Sequence, residues 1–338
     1  MNKEIRLNDI VILRAISIIL VVFVHCYYIY NYGILSDIET VDLTILRIIN
    51  LDILGRFRMP MFIFISGFLF SFLHYEKHKY PKFTDLLSNK FKRLLILYCV
   101  FFPVTAWSLG LFEQDSHINI LYPIGHLWFL LMLFWCFIFT KMIVSCKIDN
   151  KYFIGMIIVL AYIFAFISHL FPDILGLNNF ANKYIYFFVG FICYKYDNIL
   201  KLRNTSKLRI CFLMLGAIVF QLCCIILYSS SHTTWMRLIS PATSLLIVLF
   251  CYALVNRLLN SRIIANKPIF EKINKCSYGI YVSHPWIIDF ITSKSEIILV
   301  AKVYTMIFPL LLFAVVLVLS VTFTRLLLTC KVGRFLIG

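Results

Sequence analysis

Long runs of apolar residues recur along the chain, separated by short stretches rich in lysine and arginine. At about 1.5 Å of rise per residue, a helical run of roughly 20 residues matches the thickness of a bilayer core. The pattern predicts ten helices, at residues 10–30, 59–73, 94–112, 124–144, 153–171, 180–196, 210–228, 237–256, 277–293 and 303–329. The second, sixth and ninth are predicted to be short or interrupted by glycine. We therefore expect an all-α, polytopic membrane protein with a single transmembrane domain over residues 1–338.

Composition supports this interpretation. The 338 residues are 62% hydrophobic and 14% charged, with a mean hydropathy of +0.90. A soluble globular domain does not need so much apolar surface. The first run is too long for the apolar part of a signal peptide and no small-residue cleavage site follows it, so we expect it to be a retained first span.

The net charge of +16 could indicate a nucleic-acid partner. However, the basic residues lie mainly in the connections between the predicted helices. With the N-terminus in the cytosol, the cytosolic segments contain 24 lysines and arginines and the outer segments contain seven. Because positive residues are enriched on the cytosolic side of membrane proteins, this distribution predicts that both termini are cytosolic. It also predicts contacts with membrane lipids rather than with nucleic acid.

Two ionisable side chains, Arg14 and His25, lie within the first apolar run. Eleven positions at about 100° per residue end about 20° past three turns, so both side chains share one helix face, about 16 Å apart along the axis. Arg14 could instead reach the lipid headgroups, and His25 could make an interhelical hydrogen bond. The shared face favours a functional role for both, since ionisable groups at membrane depth are costly.

Two further segments have competing interpretations. Ser66 and Gly67 permit a close approach to a ligand or to another helix, and helix packing is favoured. Lys90 and Arg93 could bind a phosphorylated cofactor. On physical grounds alone they are better explained as the positive flank of the third span.

Aromatic and histidine side chains mark the fourth and ninth predicted helices. Trp128 begins the fourth helix, where it could be a simple interfacial residue. Tyr281 and His284 lie in the ninth, and Pro285 there frees a backbone carbonyl, as in helices that line cavities. We therefore expect Trp128, Tyr281 and His284, together with Ser66, to be candidates for lining a substrate cavity.

The sequence lacks the common motifs of soluble enzymes: it contains no phosphate-binding G-x-x-x-x-G-K-[ST], no G-x-S-x-G and no H-E-x-x-H. The cysteines form no C-x-x-C pair, and no metal is expected. No paired carboxylates are predicted at membrane depth and no acidic side chain is predicted near His25. The titratable candidates for chemistry at that depth are therefore His25, His284, Arg14 and a few tyrosines.

Together, these segments resemble the acyltransferase-3 family of bacterial ten-helix membrane acyltransferases. The motifs that carry the resemblance are Arg14-x10-His25 in the first helix, Met59–Gly67 in the second, His126–Leu130 in the fourth and Ser277–His284 in the ninth. They occur in the family's order over nearly the whole chain. The resemblance implies a multi-pass protein of the bacterial cytoplasmic (inner) membrane.

The resemblance further implies transfer of an acyl group, most simply acetyl, from acetyl-CoA or another acyl-CoA to a hydroxyl of a cell-surface or lipid-linked saccharide. It implies that His25 is catalytic, acting with Arg14, and that Lys90 and Arg93, with Arg14, bind the donor. Two positions depart from the family pattern. Val11 stands where many members have aspartate, with Asp9 the nearest acid, and Lys90 replaces an arginine.

A positioned imidazole could remove the proton of a sugar hydroxyl as it attacks the thioester, a contribution of about 10²–10⁴-fold. The alternative is a polysaccharide or small-solute transporter without acyl-transfer activity. In that case the polar face of the first helix and the interrupted helices would line a path through the membrane.

Overall fold

A computed structural model describes residues 7–31, 35, 43, 45, 48–112, 119–229, 232–264 and 268–337. Most residues in these ranges are helical, and the ranges contain no β-strand. The predicted all-α fold is therefore confirmed.

Thirteen α-helices of seven residues or more occur in the described ranges. They are α1 (Asn8–Cys26), α2 (Gly55–Tyr75), α3 (Phe83–Lys90), α4 (Ile96–Ser108), α5 (Trp128–Ser145), α6 (Ile154–Phe166), α7 (Leu177–Lys195), α8 (Lys207–Ser229), α9 (Thr233–Asn260), α10 (Pro268–Thr292), α11 (Ser295–Val303), α12 (Phe308–Thr329) and α13 (Lys331–Ile337). Two π-helical segments, Ile48–Leu54 and Phe91–Leu95, lead directly into α2 and α4.

Seven continuous helical segments in the described ranges are long and apolar enough to cross a membrane. They are Asn8–Tyr30, Ile48–Tyr75, Phe83–Ser108, Gly125–Ser145, Lys207–Leu227, Thr233–Asn260 and Phe308–Thr329. Each of the ten predicted apolar runs coincides with a helix, but α6 is short, and α7 and α10 are not among the seven. The protein is thus a multi-pass membrane protein, while the count of ten crossings and the cytosolic termini stay predictions.

Helix boundaries differ most from the prediction near the C-terminus. Helix α10 begins at Pro268 rather than at residue 277, because the polar turns before the apolar run are helical as well. The last predicted helix, 303–329, is divided, since α11 ends at Val303 and α12 begins at Phe308 with Pro309 in its first turn.

The prediction that the second, sixth and ninth helices are short or interrupted is wrong. Helices α2, α7 and α10 are continuous over 21, 19 and 25 residues. Their glycines instead permit close packing. A Cβ on Gly67 would lie 1.9 Å from the carbonyl oxygen of Phe187, and a Cβ on Gly190 would lie 2.0 Å from that of Phe64. The interpretation of Gly67 as a packing residue is confirmed.

Helix α1 lies inside the bundle, in contact with α2, α9, α10 and α12. Most of its residues are buried, including Ser17 and Val21 between Arg14 and His25. Arg14 and His25 therefore both project among helices of the protein, and each reaches a separate cavity.

Candidate functional site

His25 lines a cavity of about 410 Å³ formed by α1, α4, α10 and the segment leading into α5. Trp128, a predicted cavity residue, lines it too. The other polar groups of this cavity, which we call the histidine cavity, are Tyr28, Thr105, Ser108, His126 and Asp289. Helix α1 thus presents an imidazole to a space large enough for part of a substrate.

Backbone contacts define the tautomer of His25. Its Nδ1 lies 2.7 Å from the carbonyl oxygen of Val21, which can only accept a hydrogen bond, so Nδ1 carries the proton. An Nη1 of Arg58 lies 3.3 Å from the same Nδ1 and cannot donate to it in this tautomer. Within the described residues no hydrogen bond uses Nε2, so this nitrogen is left as the proton acceptor of a ring that lines the cavity.

Two more histidines pack around His25. The ring of His284 lies edge-on to it, with 4.7 Å between ring centroids, and the ring of His126 lies 5.9 Å from that of His284. Nδ1 of His284 donates to the carbonyl of Ile280 at 2.9 Å. His284 does not itself line the cavity, but its ring packs against the ring of His25. No group of three or more His, Cys, Asp or Glu side chains in the described ranges could hold a metal ion.

One carboxylate lines the same cavity as His25, although the groups that act electrostatically on His25 are His284, Arg58 and His126. Asp289 lines the histidine cavity and accepts a hydrogen bond from the hydroxyl of Ser108. It lies one turn beyond Pro285 on α10. A single acid near the end of the ninth helix does not form the pair of carboxylates that would indicate acid–base chemistry, so the sequence carries no signal for it.

Tyr281 lies between the cavities rather than at the surface of either. Its hydroxyl donates to the backbone carbonyl of His126, and its ring lies 5.1 Å from that of Phe129. One turn earlier on α10, Tyr278 reaches the second cavity. Tyr281 therefore helps to close the interior between the two spaces.

The second cavity, also about 410 Å³, is lined by four cations: Arg14, Lys90, Arg93 and Lys275. Ser66 and Tyr278 line it as well. The structure thus brings together all three residues predicted to bind the donor, and it places Ser66 with them rather than near His25. We call this space the basic cavity.

Neighbouring groups shape the basic cavity. Nζ of Lys90 lies 3.6 Å from the centroid of the Phe137 ring, a cation–π contact. The hydroxyl of Tyr278 donates to the carbonyl of Arg93 at 2.5 Å. Lys92, in the same stretch, is exposed and does not line the cavity. Asp9 points elsewhere and pairs with Arg203 at 3.3 Å.

Three groups of the histidine cavity region were not predicted as site residues: Arg58, His126 and Asp289. A sequence signal existed for two of them, because Arg58 directly precedes the Met59–Gly67 motif and His126 begins the His126–Leu130 motif. Asp289 had no signal beyond being an acid in an apolar run.

Comparison with known families gives one result. The acyltransferase-3 family model, described as an acyltransferase domain, matches residues 7–328. No curated protein and no solved structure matches the chain.

Proposed function

The chain belongs to the acyltransferase-3 family, and we propose that it moves an acyl group from a cytosolic acyl-CoA to a hydroxyl of a cell-surface or lipid-linked saccharide. Acetyl-CoA is the donor we expect, and the bacterial cytoplasmic membrane the location. One observation carries the proposal: a single buried helix, α1, supplies a cation to one cavity and an imidazole to another.

The donor belongs at the basic cavity in this proposal. Coenzyme A carries several phosphate charges, and four cations surround this one space: Arg14, Lys90, Arg93 and Lys275. The distribution of lysine and arginine predicts that this end of the bundle is cytosolic. Phosphates would thus remain at the cytosolic mouth, and only the extended pantetheine arm would enter.

The thioester must then travel along α1 from Arg14 towards His25, about 16 Å for eleven residues. Ser17 and Val21 lie on this route, and Tyr281 closes it from α10. The hydroxyl oxygen of Ser17 is buried without a hydrogen-bond partner in the described part of the chain. Once Tyr281 has moved aside, the Ser17 hydroxyl could form a hydrogen bond with an amide of the pantetheine arm.

The reaction itself would take place beside His25. Nε2 removes the proton of the acceptor hydroxyl while its oxygen attacks the thioester carbonyl. The tetrahedral intermediate then collapses, the C–S bond breaks, and the proton on the imidazolium passes to the departing thiolate. His284 would hold the ring in place, and Asp289 with Ser108 could position the incoming hydroxyl.

The test is acyl-CoA turnover by the purified protein in nanodiscs. We expect His25→Ala to lower transfer by about 10²-fold or more, whereas His78→Ala, in an exposed loop, should behave as wild type. Transfer within a few-fold of wild type in His25→Ala would remove the general-base assignment. No turnover of any acyl-CoA by the wild type would favour the transporter.

A further inference from the structure

A third cavity lies beside the histidine cavity and is strongly basic. Its volume is about 680 Å³, and α2, α6, α7 and α9 form its walls. Four cations line it: Arg56, Arg58, Lys183 and Arg237. Among its described lining residues Asp52 is the single acid. We call this space the outer cavity, because all four cations fall in the segments predicted to lie outside.

These cations have no carboxylate partner within 4.0 Å in the described ranges, where the ion pairs are Lys195–Asp149 and Arg203–Asp9. Arg56 and Arg58 are only 8% and 6% exposed. Their Nε atoms are buried and lack a hydrogen-bond partner among the described residues. Four cations against one acid among the described lining residues leave an excess of positive charge around one space, so the cavity is suited to receive an anion.

The polar neighbours favour an oxyanion. Nη1 of Arg56 donates a hydrogen bond to the hydroxyl oxygen of Ser240 at 2.5 Å. Asn178, Asn182 and His169 also line the space and could donate hydrogen bonds. Planar guanidinium groups match phosphate and carboxylate oxygens in a bidentate manner, which a neutral sugar hydroxyl cannot exploit.

Arg58 connects this cavity with His25. One Nη atom lies 3.3 Å from Nδ1 of His25 and the other 3.5 Å from the hydroxyl of Tyr28. Tyr28 lines both the outer cavity and the histidine cavity. An anion held by these cations would therefore place an attached sugar next to the reacting imidazole.

We propose that the outer cavity binds a phosphate or carboxylate group covalently attached to the acceptor, so that the acceptor is an anionic saccharide. This inference rests on the proposed function and narrows its substrate class. The anionic group is either the phosphate that links a saccharide to its lipid or the acid of an acidic sugar. In both cases the cations hold the charge and leave a neutral hydroxyl for His25.

The experiment measures binding without acyl-CoA, in nanodiscs of phosphatidylcholine, with glucose 1-phosphate, glucuronic acid, glucose and inorganic phosphate as probes. We expect at least one anionic sugar to bind about tenfold or more tightly than glucose, and more tightly than inorganic phosphate. The affinity should fall as salt is added. Glucose 1-phosphate and glucuronic acid distinguish a phosphate source from a carboxylate source.

Variants locate the site. Arg237→Gln and Lys183→Gln together should weaken the anionic sugar about tenfold, whereas Arg237→Lys should retain most of the binding. Lys294→Gln removes an exposed charge that does not line the cavity and should have no effect. A double variant that fails to fold leaves the ligand comparison in the wild type as the decisive measurement.

Three results would overturn the proposal: equal affinity for glucose and both anionic sugars, equal affinity for inorganic phosphate, or loss of sugar binding when phosphatidylglycerol replaces phosphatidylcholine. The last would identify a lipid-headgroup site. Acyl-CoA turnover is measured on the same preparation. If the protein binds the anionic sugar but turns over no acyl-CoA, the proposed acyl-transfer function is contradicted and the anion site is not.

Discussion

The contact between α2 and α7 gives a prediction whose size follows from the structure. In Gly67→Ala the new Cβ would lie 1.9 Å from the carbonyl oxygen of Phe187, although ordinary contacts begin at 3.4 Å. The two backbones must separate by about 1.5 Å, because the obstacle is main chain and cannot rotate away. Gly190→Ala produces the reciprocal clash with Phe64.

Overpacking of a well-packed interior costs about 1–3 kcal/mol and occasionally more. Replacing glycine by alanine within a helix returns about 0.8–1.0 kcal/mol through helix propensity. The matched control is Gly216→Ala in α8, where the new Cβ would meet only the side chain of Leu246 at 3.6 Å. We therefore expect Gly216→Ala to be neutral or slightly stabilising. The propensity gain is the same in both variants, so Gly67→Ala should be less stable than this control by the overpacking cost, about 1–3 kcal/mol.

The measurement is the midpoint of thermal unfolding in detergent, followed by size-exclusion chromatography with fluorescence detection. Gly67→Ala should unfold several degrees below Gly216→Ala, and its transfer activity should fall too, since α2 also carries Arg58 beside His25. If Gly67→Ala and Gly216→Ala unfold at the same temperature, the close approach of α2 and α7 is not as described and the reasoning fails.

Three further predictions concern the donor side and the orientation. Arg14→Lys should lower activity although the charge is kept, because a lysine ammonium group cannot make the bidentate contacts of the planar guanidinium group. Normal turnover in this variant would mean that Arg14 only contacts lipid headgroups. The double variant Lys90→Ala, Arg93→Ala should raise the KM for acyl-CoA about tenfold and leave the acceptor KM unchanged, with each charged contact worth ~1.5–3 kcal/mol before screening. Lys92→Ala should change neither KM. Equal effects on both substrates would mean that these basic residues only set the topology of the third span. In a cysteine-depleted background, single cysteines replacing Lys79 or Ser261 should react with an impermeant thiol reagent only after the cytosolic face is opened. A single cysteine replacing Tyr122 should react in intact cells. The reverse pattern would place the basic cavity, and with it the proposed donor site, on the outer face.

The all-α fold was predictable because long apolar runs have few other solutions in a membrane, whereas the number of crossings stays a prediction. The sharing of one face by Arg14 and His25 was also predictable, since it depends only on helical periodicity. The boundaries of α10 and α12 were less so. Polar helical turns carry no apolar signal, and Pro309 begins α12 where the hydropathy profile is continuous.

The grouping around His25 could not be obtained from periodicity, because each member comes from a different part of the chain. His126 precedes α5, Arg58 begins α2, and Asp289 follows the proline of α10. Their positions depend on how α1 packs against its neighbours, which in turn depends on close glycine contacts such as that of Gly67. His126, which the sequence presents only as the first residue of the His126–Leu130 motif, is therefore a buried neighbour of His284. In the same way, Arg56 and Arg58, which the sequence presents as charges of an outer segment, line the outer cavity. The residues that would select the acceptor are therefore those for which the sequence alone carries the weakest signal.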